Sequence, residues 1–306
     1  MGVTRYPYFE GSYAMRGSSV YQQTLNLTIS EKQKLRRLLE ENYLPKNRVY
    51  RYNFFYDNCT TRARDIIEKC IEGKVVYSEG KERLSFRDIV HQYTKGHEWD
   101  ELGIDMCLGS EADKPIDTRK QMFAPFYMLE AAKKATIVVG DSVRPLILYE
   151  KKVVDVEPED VREGFPLSPM VCVFILIGVT CFVGWLQFKI RKIIWIWDLL
   201  LFGVQGLAGC VITFLVFFST HPTVGSNWLI LLLNPIPLIY LPVMVYRAIK
   251  GKKDYYHTIN IVCLTSFMMI MPFIQQKFNV TVLPLALCLL ICSANHVLLY
   301  YRQNNK

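Results

Sequence analysis

Residues Leu199 to Tyr246 read LLLFGVQGLAGCVITFLVFFSTHPTVGSNWLILLLNPIPLIYLPVMVY, 48 positions without a Lys, Arg, Asp or Glu. About 20 apolar residues cross a bilayer as a helix, so this stretch holds two passes joined by the polar turn STHPTVGSN. Three more charge-free stretches flank it: Gly164 to Phe188 (25 residues), Tyr255 to Gln276 (22) and Phe278 to Tyr301 (24). Five membrane helices are therefore expected, at about 167–188, 194–219, 228–246, 256–275 and 281–300. From Met1 to Pro166 charges recur every few residues, so the 306-residue chain is not one soluble globule. It divides into an external domain over 1–153, an acidic linker over 154–166 and an all-α membrane domain over 167–306.

The net charge of +8 does not imply nucleic acid as a partner, because of where the cations sit. Lys189, Arg191 and Lys192 follow the first span, Arg247, Lys250, Lys252 and Lys253 the third, and Arg302 and Lys306 the fifth, whereas the other two loops hold only Lys277. Short basic loops stay in the cytoplasm, which places the C-terminus inside and the 1–166 segment outside. In a Gram-negative cell that means the inner membrane, with the first domain in the periplasm.

That domain reads as α+β. Thr28-Ile29-Ser30-Glu31 has capping-box spacing and opens a helix with Leu35, Leu38 and Leu39 as its buried stripe. Val49 to Tyr56 is aromatic-rich and strand-like, and Asp57-Asn58-Cys59-Thr60-Thr61 then supplies N-cap residues for a second helix with an apolar face of Ile66, Ile67, Cys70 and Ile71. Ser85 to Asp88 is another capping box. Ala135 to Val139, a Gly140-Asp141 turn and Pro145 to Tyr149 read as a hairpin.

Of nine cysteines, six lie in the spans and only Cys59, Cys70 and Cys107 outside, an odd number that leaves a free thiol in an oxidising compartment. Cys59 falls where an extended segment meets a helix N-terminus, whose unpaired N–H groups and dipole stabilise a thiolate. It reads either as a nucleophile or as a small buried hydrophobe. Asn58 and Thr60 beside it are candidates for an oxyanion site or for positioning the cysteine. Cys70 and Cys107 read as core. A thiol nucleophile wants an imidazole base, yet the soluble part offers only His91, on a packing helix, and His97, in a loop, both with structural or solvent-facing readings. No metal-ligand spacing and no cofactor motif is present.

Tyr50-Arg51-Tyr52-Asn53-Phe54-Phe55-Tyr56-Asp57-Asn58-Cys59-Thr60-Thr61-Arg62 closely resembles the cysteine motif of the Lnb lipoprotein N-acyltransferase family. The resemblance continues at Arg16-Gly17, Leu25-Asn26-Leu27-Thr28, Ile104-Asp105 with Leu108-Gly109, Met122-Phe123-Ala124-Pro125, and, in the spans, at Ser219 to Trp228 and Asn234-Pro235. It implies a papain-like, NlpC-type permuted periplasmic domain. It also implies an acyltransferase in which Cys59 takes an acyl group from a phospholipid as a thioester and passes it to the N-terminal amine of a bacterial lipoprotein. The catalytic histidine of that family precedes the cysteine, and no histidine precedes Cys59 here. Met1 to Tyr8 also contains no apolar export segment. The expectation is an incomplete domain whose reading frame extends upstream by roughly 80 to 100 residues carrying both features. A membrane-tethered cysteine peptidase or amidase, and a catalytically dead remnant or scaffold, are the alternative readings.

In the spans, His221 and Asn227 flank the outer turn and are candidates for a mouth where lipid enters. Asp198, about 8 Å of helix inside the first basic loop, needs a partner or snorkels to the interface. Pro235, Pro237 and Pro242 should kink the third span.

Overall fold

The computed structural model describes residues 3–80, 83–156 and 165–304. In chain order the elements are α1 (Tyr6–Met15), β1 (Val20–Leu25), α2 (Ile29–Tyr43), α3 (Cys59–Cys70), β2 (Lys74–Val76), α4 (Phe86–Thr94), α5 (Glu98–Cys107), α6 (Thr118–Gln121), α7 (Pro125–Lys134), β3 (Thr136–Val139), β4 (Ser142–Pro145), β5 (Ile147–Val154), α8 (Pro169–Ile190), α9 (Trp195–Phe218), α10 (Pro222–Gly225), α11 (Ile236–Ile249), α12 (Tyr255–Ile270) and α13 (Val282–Asn304). They form two compact units, residues 1–89 with 115–162, and residues 90–114 with 163–306. Positions 157–164 of the expected acidic linker lie outside the described residues.

The first unit mixes helices with two small antiparallel sheets, β1–β5 and β2–β3–β4. Its core gathers Cys70, Ile71, Ala132, Ala135, Ile137, Leu146 and Ile147, with Ile67 of α3 and Leu35 and Leu38 of α2 packed on it. Leu39, expected in that stripe, is exposed: it sits one position past Leu38 and turns to solvent. The hairpin forms with its second arm three residues earlier than expected. Ser142–Pro145 pairs with Thr136–Val139, and from Ile147 the chain crosses to pair with Leu25 of β1.

Val49 to Tyr56 is not a strand. Asn53 Oδ1 accepts from the N–H groups of Phe55 and Tyr56, both at 3.2 Å, and Asn53 and Asp57 bond each other's backbones at 3.0 Å. A short polar side chain thus captures the donors a ladder would have used. Phe55 turns inward to stack against Phe86 and Phe123, with centroids 4.5 and 5.0 Å away.

Thr28 caps α2 as its capping box requires, and Glu31 does more than cap. Its fully buried carboxylate accepts from Thr28 N at 2.8 Å, Glu72 N at 2.9 Å and Arg144 Nη2 at 2.6 Å, which joins α2, the end of α3 and β4. Burial alone would raise its pKa, but these donors hold it below the usual carboxylate value. A depressed pKa contributes stability above the unfolded value of about 4.3 and loses it as the pH falls. Glu31→Gln should therefore cost about 2 kcal/mol at pH 7, with the gap from wild type closing below about pH 4. Thermal unfolding of the full chain in detergent across pH checks this, and a gap that persists unchanged at pH 3 contradicts it.

Among the described residues the second unit contains five helices long and apolar enough to cross a membrane: Pro169–Ile190, Trp195–Phe218, Pro222–Ile249, Tyr255–Phe273 and Val282–Gln303. The third is broken rather than kinked. A 3-10 turn at Trp228–Leu231 precedes α11, which starts only after Asn234-Pro235. Breaking a helix in apolar surroundings frees carbonyls that must find donors. Gln205 of α9 donates to Leu232 O at 2.8 Å, and a Cβ at Gly209 would collide with the Asn234 backbone, so glycine permits the approach.

Candidate active site around Cys59

Cys59 is the first residue of α3, free and exposed, which removes the reading of a buried hydrophobe. Asn58 caps the helix. Its Oδ1 accepts from Thr60 N and Thr61 N, each at 2.9 Å, while Thr61 Oγ1 accepts from Asn58 N at 2.8 Å. Its Nδ2 donates to Phe54 O at 2.9 Å and Phe123 O at 2.8 Å. Every polar atom of the Asn58 side chain is engaged, so it ties the start of α3 to the backbone of Phe54 and Phe123 and keeps no N–H for an oxyanion. The Thr60 N–H is likewise committed to Asn58.

Beyond the cap, Arg62 grips Asp57 through Nε and Nη2 at 2.7 and 2.8 Å and lays its guanidinium 3.5 Å from the centroid of the Tyr50 ring. The pKa of Tyr52 is raised by burial and then by the neighbouring charges of Cys59 and Tyr50. A polar groove of about 700 Å3 runs beside α3, bordered by Leu38, Val49, Tyr50, Asp57, Arg62 and Lys69. All five histidines, at positions 91, 97, 221, 257 and 296, belong to the second unit, so the unit that holds Cys59 contains no imidazole.

In the second unit His91 Nε2 meets Asp105 at 2.9 Å, and Asn279 Nδ2 donates to the other oxygen of Asp105 at 3.0 Å. His97 lies 3.9 Å from Asp100. His221, at the N-cap of α10, is half-buried, and its N–H donates to Ser219 Oγ at 3.2 Å. Asn227 is buried in a knot: it donates to Met106 O at 2.8 Å and accepts from Leu229 N and Gln276 Nε2, both at 3.0 Å. Gly109 N donates to Thr223 O at 2.7 Å, and a Cβ at Gly109 would lie 2.6 Å from Ser226 C. These contacts unite Leu108-Gly109 with the Ser219 to Trp228 turn.

An apolar cavity of about 620 Å3, lined by Trp99, Met106, Cys107, Leu176, Val204 and Leu289 among others, lies between α5 and helices α8, α9 and α13. Two groups of potential metal donors occur among the described residues, His91–Glu101–Asp105 and the buried Asp198–Cys292–His296. Asp198 does not snorkel; it is bonded to His296 Nε2 at 2.8 Å. This second group was missed from sequence, although Cys292 and His296 stand one helical turn apart in a span that crosses near Asp198.

A mixed α+β domain presenting a free cysteine at a helix N-terminus, followed by five apolar helices, defines a multi-pass membrane protein with an external thiol domain. Family models resolve the class further: residues 1–95 match the Lnb N-terminal periplasmic domain and residues 160–304 the Lnb transmembrane domain, together more than three quarters of the chain. The chain belongs to the Lnb family, and its N-terminal domain is periplasmic. No curated protein and no solved structure matches it.

Exposure orders the thiols. Burial, with Glu31 nearby, raises the pKa of Cys70, and burial raises that of Cys107. Since the thiolate reacts, Cys70 is protected twice, by burial and by ionisation, and the half-buried Cys107 by ionisation. A maleimide pulse on the native full chain should modify Cys59 first and leave Cys70 untouched until unfolding, as read by peptide mass spectrometry. Equal labelling of Cys59 and Cys70 would refute this.

Proposed function

We propose that this protein is an inner-membrane lipoprotein N-acyltransferase using Cys59 as its nucleophile. The observation that carries the reading is the exposed cysteine at the start of α3 in a chain whose two parts both match Lnb models. The Cys59 thiolate attacks the carbonyl of a phospholipid ester. The tetrahedral intermediate expels the glycerol oxygen, which takes up a proton, and a thioester remains. The N-terminal amine of a lipoprotein then attacks the thioester and loses a proton, Cys59 leaves as thiolate, and the products are an amide and a lysophospholipid.

Developing negative charge on the carbonyl oxygen calls for an N–H at the helix start, and the Cys59 backbone N–H, not consumed by the Asn58 cap, is the donor in this reading. The apolar cavity in the membrane unit suits an acyl chain. His221 and Asn227 belong to the turn we assign to the lipid entrance, Asn227 by holding its shape from within. The catalytic part is taken as residues 1–153, joined through 154–166 to the membrane part 167–306, with the C-terminus cytoplasmic.

Mass spectrometry of lipoprotein N-termini, from cells dependent on this gene in full length, separates the readings. Wild type should yield N-acylated termini, and Cys59→Ser should abolish them while the protein still accumulates in the membrane. Acylation that survives Cys59→Ser rejects the transferase, and cleaved cell-wall peptides in its place point to the peptidase. His91→Ala, His97→Ala and His221→Ala should retain acylation, since each has a structural partner or position; loss in any of them makes that residue the base. A reporter fused after Lys306 should read cytoplasmic and one inserted in the 219–227 turn external. Reversed signals would put Cys59 in the wrong compartment.

A further inference from the structure

Three donors converge at the end of the helical bundle nearest the basic loops. Asp198 comes from the first turn of α9, and Cys292 and His296 from one face of α13, four residues apart. Their ligand atoms lie within 4.8 Å of one another: His296 Nε2 is 2.8 Å from Asp198 Oδ2, and Cys292 Sγ is 3.5 Å from Asp198 Oδ1. Asp198 is fully buried, Cys292 is 3% exposed and His296 8%.

A second observation points the same way. His257 of α12 is fully buried, its ring stacks on His296 with centroids 3.8 Å apart, and its Nε2 has no partner among the described residues. Its Nδ1 faces Ser293 Oγ at 3.3 Å, and that oxygen also accepts from Asn260 Nδ2 at 2.9 Å. With Asn260 filling one lone pair, Ser293 Oγ can accept from Nδ1–H as well. That tautomer leaves Nε2 as a bare lone pair, the state of a metal-binding imidazole oriented by an outer hydrogen bond.

We propose that Asp198, Cys292 and His296 form an intramembrane site for a zinc-class divalent cation, with His257, its Nε2 unpartnered among the described residues, stacked beside it. Carboxylate, thiolate and imidazole together match the ligand chemistry of zinc. Charge favours it too: a carboxylate and a thiolate together neutralise a dication. On binding, the Cys292 thiol gives up one proton to solvent, the proton shared between His296 Nε2 and Asp198 moves to Nδ1 of the same ring, and both contacts to Asp198 are replaced by bonds to the ion. A cleft of about 30 Å3 beside the 250–254 loop is lined by Arg247, Gly251, Asp254, Thr258 and His296, which puts one of the three donors at its wall. The ion would tie α9 to α13 within the membrane, a structural role separate from the Cys59 chemistry.

The test uses the full chain, purified in detergent on a tag without histidine, stripped with chelator and titrated with Co2+. The expected result is about one bound Co2+ per chain with tetrahedral d–d bands and a thiolate-to-cobalt charge-transfer band, all displaced by Zn2+. Cys292→Ser should remove the charge-transfer band, and His296→Ala should lower bound cobalt at least tenfold, while Cys181→Ser and Cys263→Ser leave both intact. Wild type alone can overturn the proposal, so the folding of the variants does not decide it: no stoichiometric Co2+, or bound Co2+ without a thiolate band, rejects the site. A band that survives Cys292→Ser also rejects it.

Discussion

The amide pair Asn227–Gln276 is the contact on which the membrane unit's outer end depends. Both side chains are buried, and a buried amide without partners would cost several times what a hydrogen bond returns. Each atom is placed accordingly: Asn227 holds Met106 O and Leu229 N, while Gln276 holds Leu108 O at 3.3 Å and Trp228 N at 2.9 Å. Two membrane loops and the segment after α5 are fixed by one polar knot, and the bare Gly109 lets the backbones close around it. Because residues 90–114 belong to this unit while the chain before and after them belongs to the first, the knot pins the polypeptide at a point between the two sequence halves of the thiol domain.

The same demand for partners shapes much of the interior of the bundle, with His257 Nε2 an exception among the described residues. The third span is interrupted before Asn234-Pro235, where α11 starts, and Gln205 reaches across from α9 to meet the freed Leu232 carbonyl. Asp198 is tolerated because His296 and Cys292 face it. These polar groups sit on α9 and α13, so each satisfied donor also sets which helix faces which. In an apolar solvent, where burial does not drive helices together, such contacts carry much of the specificity.

What the sequence made legible follows from the range over which each signal acts. Charge-free runs report the membrane directly, and Asp57 to Thr61 report a helix start because the capping atoms lie within three residues of the groups they satisfy. The capping boxes at Thr28 and Ser85 formed for the same reason. The strand reading of Val49 to Tyr56 failed because aromatic content signals burial against something, and here Phe55 is buried in a turn closed by Asn53. Leu39 shows the limit of periodicity at the edge of a stripe. Asn227 and Asp198 were read as polar groups near surfaces; their partners, Gln276 and His296, lie 49 and 98 positions away, beyond any local pattern.

Within its own unit Cys59 is given geometry without acid–base chemistry. Asn58 is saturated, Asp57 is committed to Arg62, and Tyr50 and Tyr52 have pKa values raised first by burial, which keeps their hydroxyls protonated at neutral pH. Thioester chemistry on a lipid ester needs a group that accepts a proton from the thiol and returns it to the leaving oxygen, a task suited to a group titrating near neutrality. No side chain of residues 1–89 or 115–162 is a histidine, so an imidazole base for the proposed thioester cycle would have to come from outside that unit.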